Sequence, residues 1–293
     1  MRVFCSLCSC LILLCSSLPG AAVAEEKLSA LTLVVMDPMA APLACDCVKG
    51  YAQRKYEVLG QFLASRLSRE VNVVWAESLE VALEKSDGKA DLIIGKHSVV
   101  LADAKEAKLE VKPLARLTDL KDQVIQTGLF VVRSGDPAKS VDDLKGYRIL
   151  FGPRDCDEKS AAPMGLLKEH GVALPNPIET SPSCSNAAVM LMELPADAKV
   201  AAVISSYAGP LLEGCGKVKK GDLRVIGESG PVPFITAFAA TSLSESETTA
   251  ITTALDEVGL DAKLLIDLET ASGFQLWQDP ETSTAAAETK KKP

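Results

Sequence analysis

The side chains best suited to chemistry in this sequence are cysteines. Cys45 and Cys47 form a Cys-x-Cys pair, while Cys156, Cys184 and Cys215 follow singly. The chain has nine cysteines and two histidines, and the other four cysteines (Cys5, Cys8, Cys10, Cys15) crowd into an apolar N-terminal run. Thiolate and imidazole together suit Cu(I) or Zn. Cys45, Cys47 and His97 therefore make a candidate metal set, with Cys156 as a possible fourth ligand. The competing expectation is a disulfide, the usual fate of cysteines in an oxidising compartment. Cys156 and Cys184 each precede a helical pattern in the same half of the chain, so they are the expected pair, with Cys215 as a competing partner. Five remaining cysteines are an odd number, so one must stay free, ligate or join another molecule. Thiol catalysis would need a neighbouring base or a depressed pKa. The acids around Cys156 work against that, and no nucleophile elbow, P-loop or zinc-protease motif is present, so the expectation is that the chain is not an enzyme. Met36 and Met39 read as core first and soft ligands second, and His170 as a helix-end histidine.

The elements that must position these residues begin after an export signal. Arg2, the apolar residues 3–18 and Ala22-Val23-Ala24 have the form of a cleaved signal peptide, residues 1–24, and imply a periplasmic destination. Acylation of Cys15 is the alternative, although Leu14 stands where that signal wants a small residue. Beyond this segment no run has the length of a membrane span.

Apolar runs and helical patterns then alternate. Leu31–Met36, Val71–Trp75, Asp91–Gly95, Tyr147–Gly152 and Val200–Ser205 read as strands. Between them, helical spacing is legible from Val48 to Leu67, Ser78–Lys85, Lys159–His170, Ser183–Glu193 and Tyr207–Glu213, and Ser98 is placed to cap a helix of its own. Ser244 with Glu247 forms a capping box. Such alternation predicts an α/β fold of mainly parallel sheets flanked by helices. Two long extended segments, 124–133 and 233–241, suggest two lobes. The expected boundaries are 25–133 with 234–272 for the first, 134–233 for the second, and a disordered tail over 273–293. A net charge of −8 argues against nucleic acid, and 4% aromatic residues argue against stacking platforms for bases.

The order of four segments resembles a known family. SVDDLKGYRIL at 140–150 followed by LLKEHGV, ADLIIGKHS at 90–98, VAAVISSY at 200–207 and LRVIGESGPVP at 223–233 are similar to type 2 periplasmic solute-binding proteins of the phosphate/phosphite/phosphonate-binding (PhnD-like) group. The resemblance implies two lobes joined by two hinge crossings, a small ligand or ion held between them, and delivery to the membrane permease of an ABC transporter. Ligands of open α/β sheets sit at the carboxyl ends of strands. Here those ends are the loops 37–47, 96–98, 153–160, 181–186 and 205–207. The candidate ligand-binding residues on them are Cys45, Cys47, Lys96, His97, Ser98, Arg154, Asp155, Cys156, Asp157, Ser160, Ser183, Cys184, Ser205 and Tyr207.

One loop departs from the family. Where phosphonate binders carry serines and threonines, this chain has Arg154-Asp155-Cys156-Asp157-Glu158-Lys159-Ser160. One carboxylate can cap the following helix. Three would repel a phosphonate dianion, so phosphate and phosphonates are expected to bind weakly. A second reading follows from the acidic, cysteine-bearing cleft: an accessory or partner protein of a periplasmic quinoprotein dehydrogenase or other redox enzyme, with a Cys-based metal or thiol site.

Overall fold

The computed structural model describes residues 29–44, 49 and 52–278. The expected signal peptide, Cys45, Cys47 and residues 279–293 lie outside them. Thirteen strands and eight α-helices follow in chain order: β1 Leu31–Met36, α1 Tyr56–Leu67, β2 Val71–Trp75, α2 Leu79–Lys85, β3 Leu92–Lys96, α3 His97–Glu106, β4 Val111–Leu117, β5 Ile125–Gln126 and β6 Gly128–Arg133; then β7 Arg148–Phe151, α4 Ala161–Glu169, β8 Glu179–Thr180, α5 Cys184–Glu193, β9 Val200–Ser205, α6 Ala208–Gly214, β10 Leu223–Glu228, β11 Val232–Pro233, β12 Ile235–Ala240, α7 Glu245–Asp256, α8 Ala262–Asp267 and β13 Phe274–Leu276.

Two sheets organise the chain. The first runs β13-β4-β12-β3-β1-β2, and the second β10-β6-β9-β7-β8. Every residue of β1, β3, β9 and β12 is buried, which is why these strands read as unbroken apolar runs. Alternate side chains of β1 enter different cores. Leu31, Leu33 and Val35 pack with α1 and α7 residues, while Val34 and Met36 pack with Leu79, Ala82 and Val100 of α2 and α3. The second sheet is sandwiched likewise: Ile149 and Phe151 meet Leu167 of α4, while Leu150 meets Leu191 of α5 and Leu212 of α6. Ser78 caps α2 by accepting from the Val81 N–H, and the Ser244–Glu247 capping box opens α7.

Several expectations need correction. The sheets are mixed rather than mainly parallel: β1 pairs in parallel with β2 and β3, and β7 with β8 and β9, but β4, β6, β10, β12 and β13 all pair antiparallel. The antiparallel members are the strands by which the chain enters and leaves each sheet. β6 pairs with β9 and β10, so 128–133 belongs to the second sheet and the first crossing falls before Gly128. Phe274–Leu276, inside the expected tail, is strand β13 on β4. Ser98 caps nothing, because α3 already starts at His97. The two crossings lie side by side, bridged by the antiparallel pair β5–β11.

Gly128 shows how closely the second sheet meets the loop after β7. A Cβ built there would lie 1.9 Å from the Glu158 carbonyl oxygen and 2.7 Å from Pro163 Cγ. Backbone cannot move aside cheaply, so Gly128→Ala is expected to lower the urea midpoint, at a cost of about 1–3 kcal/mol or more. Gly165 in α4 has open space around its Cα. Gly165→Ala should raise the midpoint by about 0.5–1 kcal/mol, and equal effects at the two positions would contradict this packing.

Candidate functional site

The carboxyl ends of β1, β3 and β9 and the starts of α5 and α6 enclose a pocket of ≈ 380 Å³ between the two sheets. Met36, Pro38, Met39, Leu43, Glu77 and Lys96 line it from the first sheet's side. Lys159, Ser183, Cys184, Ser185, Tyr207, Leu211 and Leu212 line it from the second.

The loop bearing Pro38 and Met39 is pinned from below. Asp37 is fully buried and accepts from Arg54 Nη1 at 2.8 Å, Tyr56 Oη at 2.6 Å and the Met39 N–H at 2.9 Å. Burial disfavours the Arg54 guanidinium, but Asp37 outweighs it and holds Arg54 charged.

A second buried cluster joins the sheets. Lys96, the last residue of β3, reaches Glu158 Oε1 at 2.5 Å, with side-chain exposures of 10% and 3%. The same Glu158 carboxylate accepts from Ser205 Oγ at 3.0 Å and from the Cys156 thiol at 3.0 Å. Cys156 Sγ in turn accepts from Lys96 Nζ at 3.3 Å. The Lys96 ammonium also lies 6.0 Å from the Tyr207 ring centroid and 5.8 Å from that of Phe234. Burial alone would raise the Glu158 pKa, yet Lys96, the Cys156 thiol and Lys159 bring it down to about 2. Burial pushes the Cys156 thiol up to about 12, against the pull of Lys96. In this arrangement Cys156 is a neutral donor to Glu158. Beside this cluster the Asp157 N–H donates to Ser98 Oγ at 3.0 Å, a second link between the sheets.

Lys159 is the pocket's other cation. It is 6% exposed, and among the described residues its ammonium makes no hydrogen bond or ion pair, although its charge acts on the adjacent Glu158. Its stem lies flat over Gly152, whose missing Cβ would sit 2.4 Å from Lys159 Cβ. The first turn of α5 completes this wall. Ser183 caps it by accepting from the Asn186 N–H at 3.1 Å, and the first-turn N–H groups have no partner within the helix.

The structure thus brings Lys96, Ser183, Cys184 and Tyr207 to one pocket, with Cys156 and Ser205 beneath it. Arg154 is exposed, Asp155 and Asp157 are half-buried and Ser160 is buried, and none of the four lines the pocket. Neither aspartate caps: the caps of the 3-10 turn Asp157–Lys159 and of α4 are Cys156 and Ser160, without side-chain bonds. The three carboxylates therefore do not converge on the pocket, and Glu158, the buried one, is neutralised by Lys96. That removes the ground for expecting weak phosphonate binding.

His97 is directed elsewhere. It stacks on Trp277 with ring centroids 5.1 Å apart, and its Nδ1 is 3.2 Å from Thr236 Oγ1. Burial and the nearby Arg116 push its pKa down to about 4. Cys45 and Cys47 lie outside the described residues, and among those residues no three His, Cys, Asp or Glu side chains converge as a metal site. Cys156 and Cys184 are both free thiols rather than a disulfide, as is Cys215. Each has a separate polar partner: Cys156 binds Glu158, and Cys184 Sγ accepts from the Ser205 N–H at 3.4 Å. His170 ends α4 and faces Asp142 at 3.0 Å.

Met39, read as core, proves to be pocket wall, while Met36 packs in the core as read and also borders the pocket. Glu158 and Lys159 were overlooked as site residues, although the juxtaposition of one acid and one base inside a cleft loop was visible. Lys96 as Glu158's partner, 62 positions away, left no local signal.

A family model described as the periplasmic substrate-binding protein of phosphonate ABC transporters matches residues 50–281. No curated protein matches the chain. Among solved structures, a Xanthomonas citri protein bound to ATP aligns at TM-score 0.65 and 17% identity, covering 89% of this chain and 95% of its own. A binding protein of an ABC phosphonate transporter from Pseudomonas aeruginosa aligns at TM-score 0.64 and 14% identity, covering 88% and 84%. PhnD1 from Prochlorococcus marinus, in complex with methylphosphonate, aligns at 0.62 and 14%, covering 90% and 99%. At such identities the likeness carries the fold, the two-lobed architecture of type 2 periplasmic binding proteins.

Proposed function

The chain belongs to the family of periplasmic substrate-binding proteins of phosphonate ABC transporters, and we propose that it seats the anionic head of a small phosphonate on Lys159 and the first turn of α5. The observation that supports this most directly is the Lys159 ammonium, buried on the pocket wall with no ion pair or hydrogen bond of its own among the described residues, its neighbour Glu158 being already paired with Lys96. A buried charge without a partner is costly, and an oxyanion in the pocket supplies one. Lys96 does not compete for it, because Glu158 already neutralises Lys96. Helix N-termini receive anions readily, and Ser183 leaves the N–H groups of Cys184 and Ser185 for that purpose.

In this reading the pocket holds its ligand and does not transform it: Cys156 stays protonated, and His97 lies off the pocket. The lobes are residues 29–126 with 234–278 and residues 128–229, closing across the β5–β11 crossings. Residues 1–24 export the chain, and the loaded protein docks on the membrane permease. Calorimetric titration of the exported protein with phosphate and methylphosphonate tests the assignment. Saturable binding of either in the micromolar range or below supports it, and absence of heat at millimolar anion overturns it.

A further inference from the structure

Hydrogen bonds inside the loop that carries Pro38, Met39 and Leu43 shape it but do not place it. The Ala40 N–H donates to the Asp37 carbonyl, and the Leu43 and Ala44 N–H groups both donate to that of Ala40. Among the described residues, the hydrogen bonds that hold residues 38–44 against the rest of the first lobe run to Gln53 and Arg54. The Arg54 N–H donates to the Met39 carbonyl at 2.8 Å, and the Arg54 carbonyl accepts from the Ala41 N–H at 2.9 Å. The guanidinium reaches further. Nη1 donates to Asp37 at the start of the loop, and Nε donates to the Leu268 carbonyl at the end of α8, 3.1 Å away. The next residue adds a bond from the Lys55 N–H to the Asp267 carbonyl at 2.8 Å. Residues 54 and 55 thus grip α8 on one side, and Arg54 grips the pocket loop on the other.

We infer that Arg54 is a positioning residue for ligand binding: it does not line the pocket, but it sets where one wall stands by tying the loop to α8 through the interior of the lobe. For its effect on affinity the inference rests on the anion pocket proposed above. For its effect on the loop it rests on the hydrogen bonds alone. Ala40 and Tyr56 share one apolar cluster with Leu264 and Leu268 from α8 and its end, and Tyr207 from the second sheet's side of the pocket packs against the same cluster. The tie therefore runs beneath the ground on which both walls rest. The chemistry singles out arginine. A guanidinium presents its donors in a rigid planar fork, whereas an ammonium is one point of charge on a flexible stem. Lysine at position 54 can still neutralise Asp37, but it lacks the second nitrogen that holds Leu268.

Arg54→Lys tests this on the exported protein with two readouts. In hydrogen–deuterium exchange, the amides of residues 38–44 are expected to exchange about tenfold faster or more, while β3, β9 and α4 keep wild-type protection. In calorimetry, affinity for methylphosphonate is expected to fall by about threefold to thirtyfold, the range of residues that modulate a site without touching it. A merely structural part would lower the urea midpoint and speed exchange throughout the first lobe, with the affinity of the folded protein unchanged. That result overturns the inference, as does unchanged exchange in the loop or unchanged affinity with the loop loosened. If Arg54→Lys does not fold, Arg54→Met combined with Asp37→Asn removes both buried charges together and is read in the same way. Failure of the wild-type protein to bind phosphate or methylphosphonate overturns the proposed function, and the exchange pattern alone then decides for or against Arg54.

Discussion

Glu158→Gln is expected to destabilise the folded protein by about 3–5 kcal/mol, because it strands the Lys96 ammonium in a buried site. The amide keeps the volume and its one oxygen can accept from Ser205 or from Cys156 but not from both, so the loss is the charge together with one of those two hydrogen bonds. Denaturant unfolding of the two proteins measures it directly. Lys96→Met in the same background should recover much of the loss, since removing both charges is far cheaper than removing one. A loss below about 1 kcal/mol would mean that the pair is hydrated in solution. Acid gives an independent reading. The Glu158 pKa falls from 4.5 to about 2 on folding. A depressed carboxylate stabilises the fold fully above its unfolded pKa and loses that contribution as pH falls through its folded one. The wild-type advantage over Glu158→Gln should therefore hold above pH 4.5 and disappear by about pH 2, with an amplitude of about 3 kcal/mol.

Lys159→Met should have the opposite pair of effects. Phosphonate affinity is expected to fall by about 30-fold to 1000-fold, the usual consequence of deleting one partner of a buried charge pair. The ligand-free protein should be as stable as the wild type or more so, since a buried charge with no ion pair of its own is replaced by an apolar chain of similar length. Calorimetry and unfolding on the same sample separate this from a folding defect. Undiminished binding would remove Lys159 from the anion seat.

The legible part of the fold was the part written in local pattern. LTLVVM, VAAVIS and the Ser244–Glu247 box announce their structures because burial on two faces and first-turn capping leave marks within a few residues. β4 left none: Lys112, Pro113 and Arg116 interrupt its apolar run, and its pairing with β12 and β13 comes from distant segments. β13 is three residues long and takes its strand geometry from β4. In the site, positions on the loops after β3, β7 and β9 could be named in advance because strand ends dictate them. What those residues do could not. Asp155, Asp157 and Glu158 look alike in sequence, but only Glu158 turns inward, where Lys96 and Ser205 await it. Cys156 and Cys184 looked like a disulfide until each was seen held by a different group.

The placement of Cys156 turns the molecule into its own clock. The thiol is 2% exposed and held by Lys96 from one sheet and by Glu158 from the other. With its pKa pushed up to about 12, it scarcely reacts with an alkylating reagent at neutral pH while the sheets stay together. Reaction proceeds through moments of separation, when water and reagent enter and the pKa relaxes, so the labelling rate is the intrinsic rate multiplied by the open fraction. Cys215, partly exposed and not on the pocket wall, supplies an internal standard for solvent contact. A bridging ligand slows the Cys156 reaction in proportion to how far it shifts the open–closed balance. A time course of mass-resolved alkylation therefore reads out the closure equilibrium without a dye, a spin label or any introduced residue.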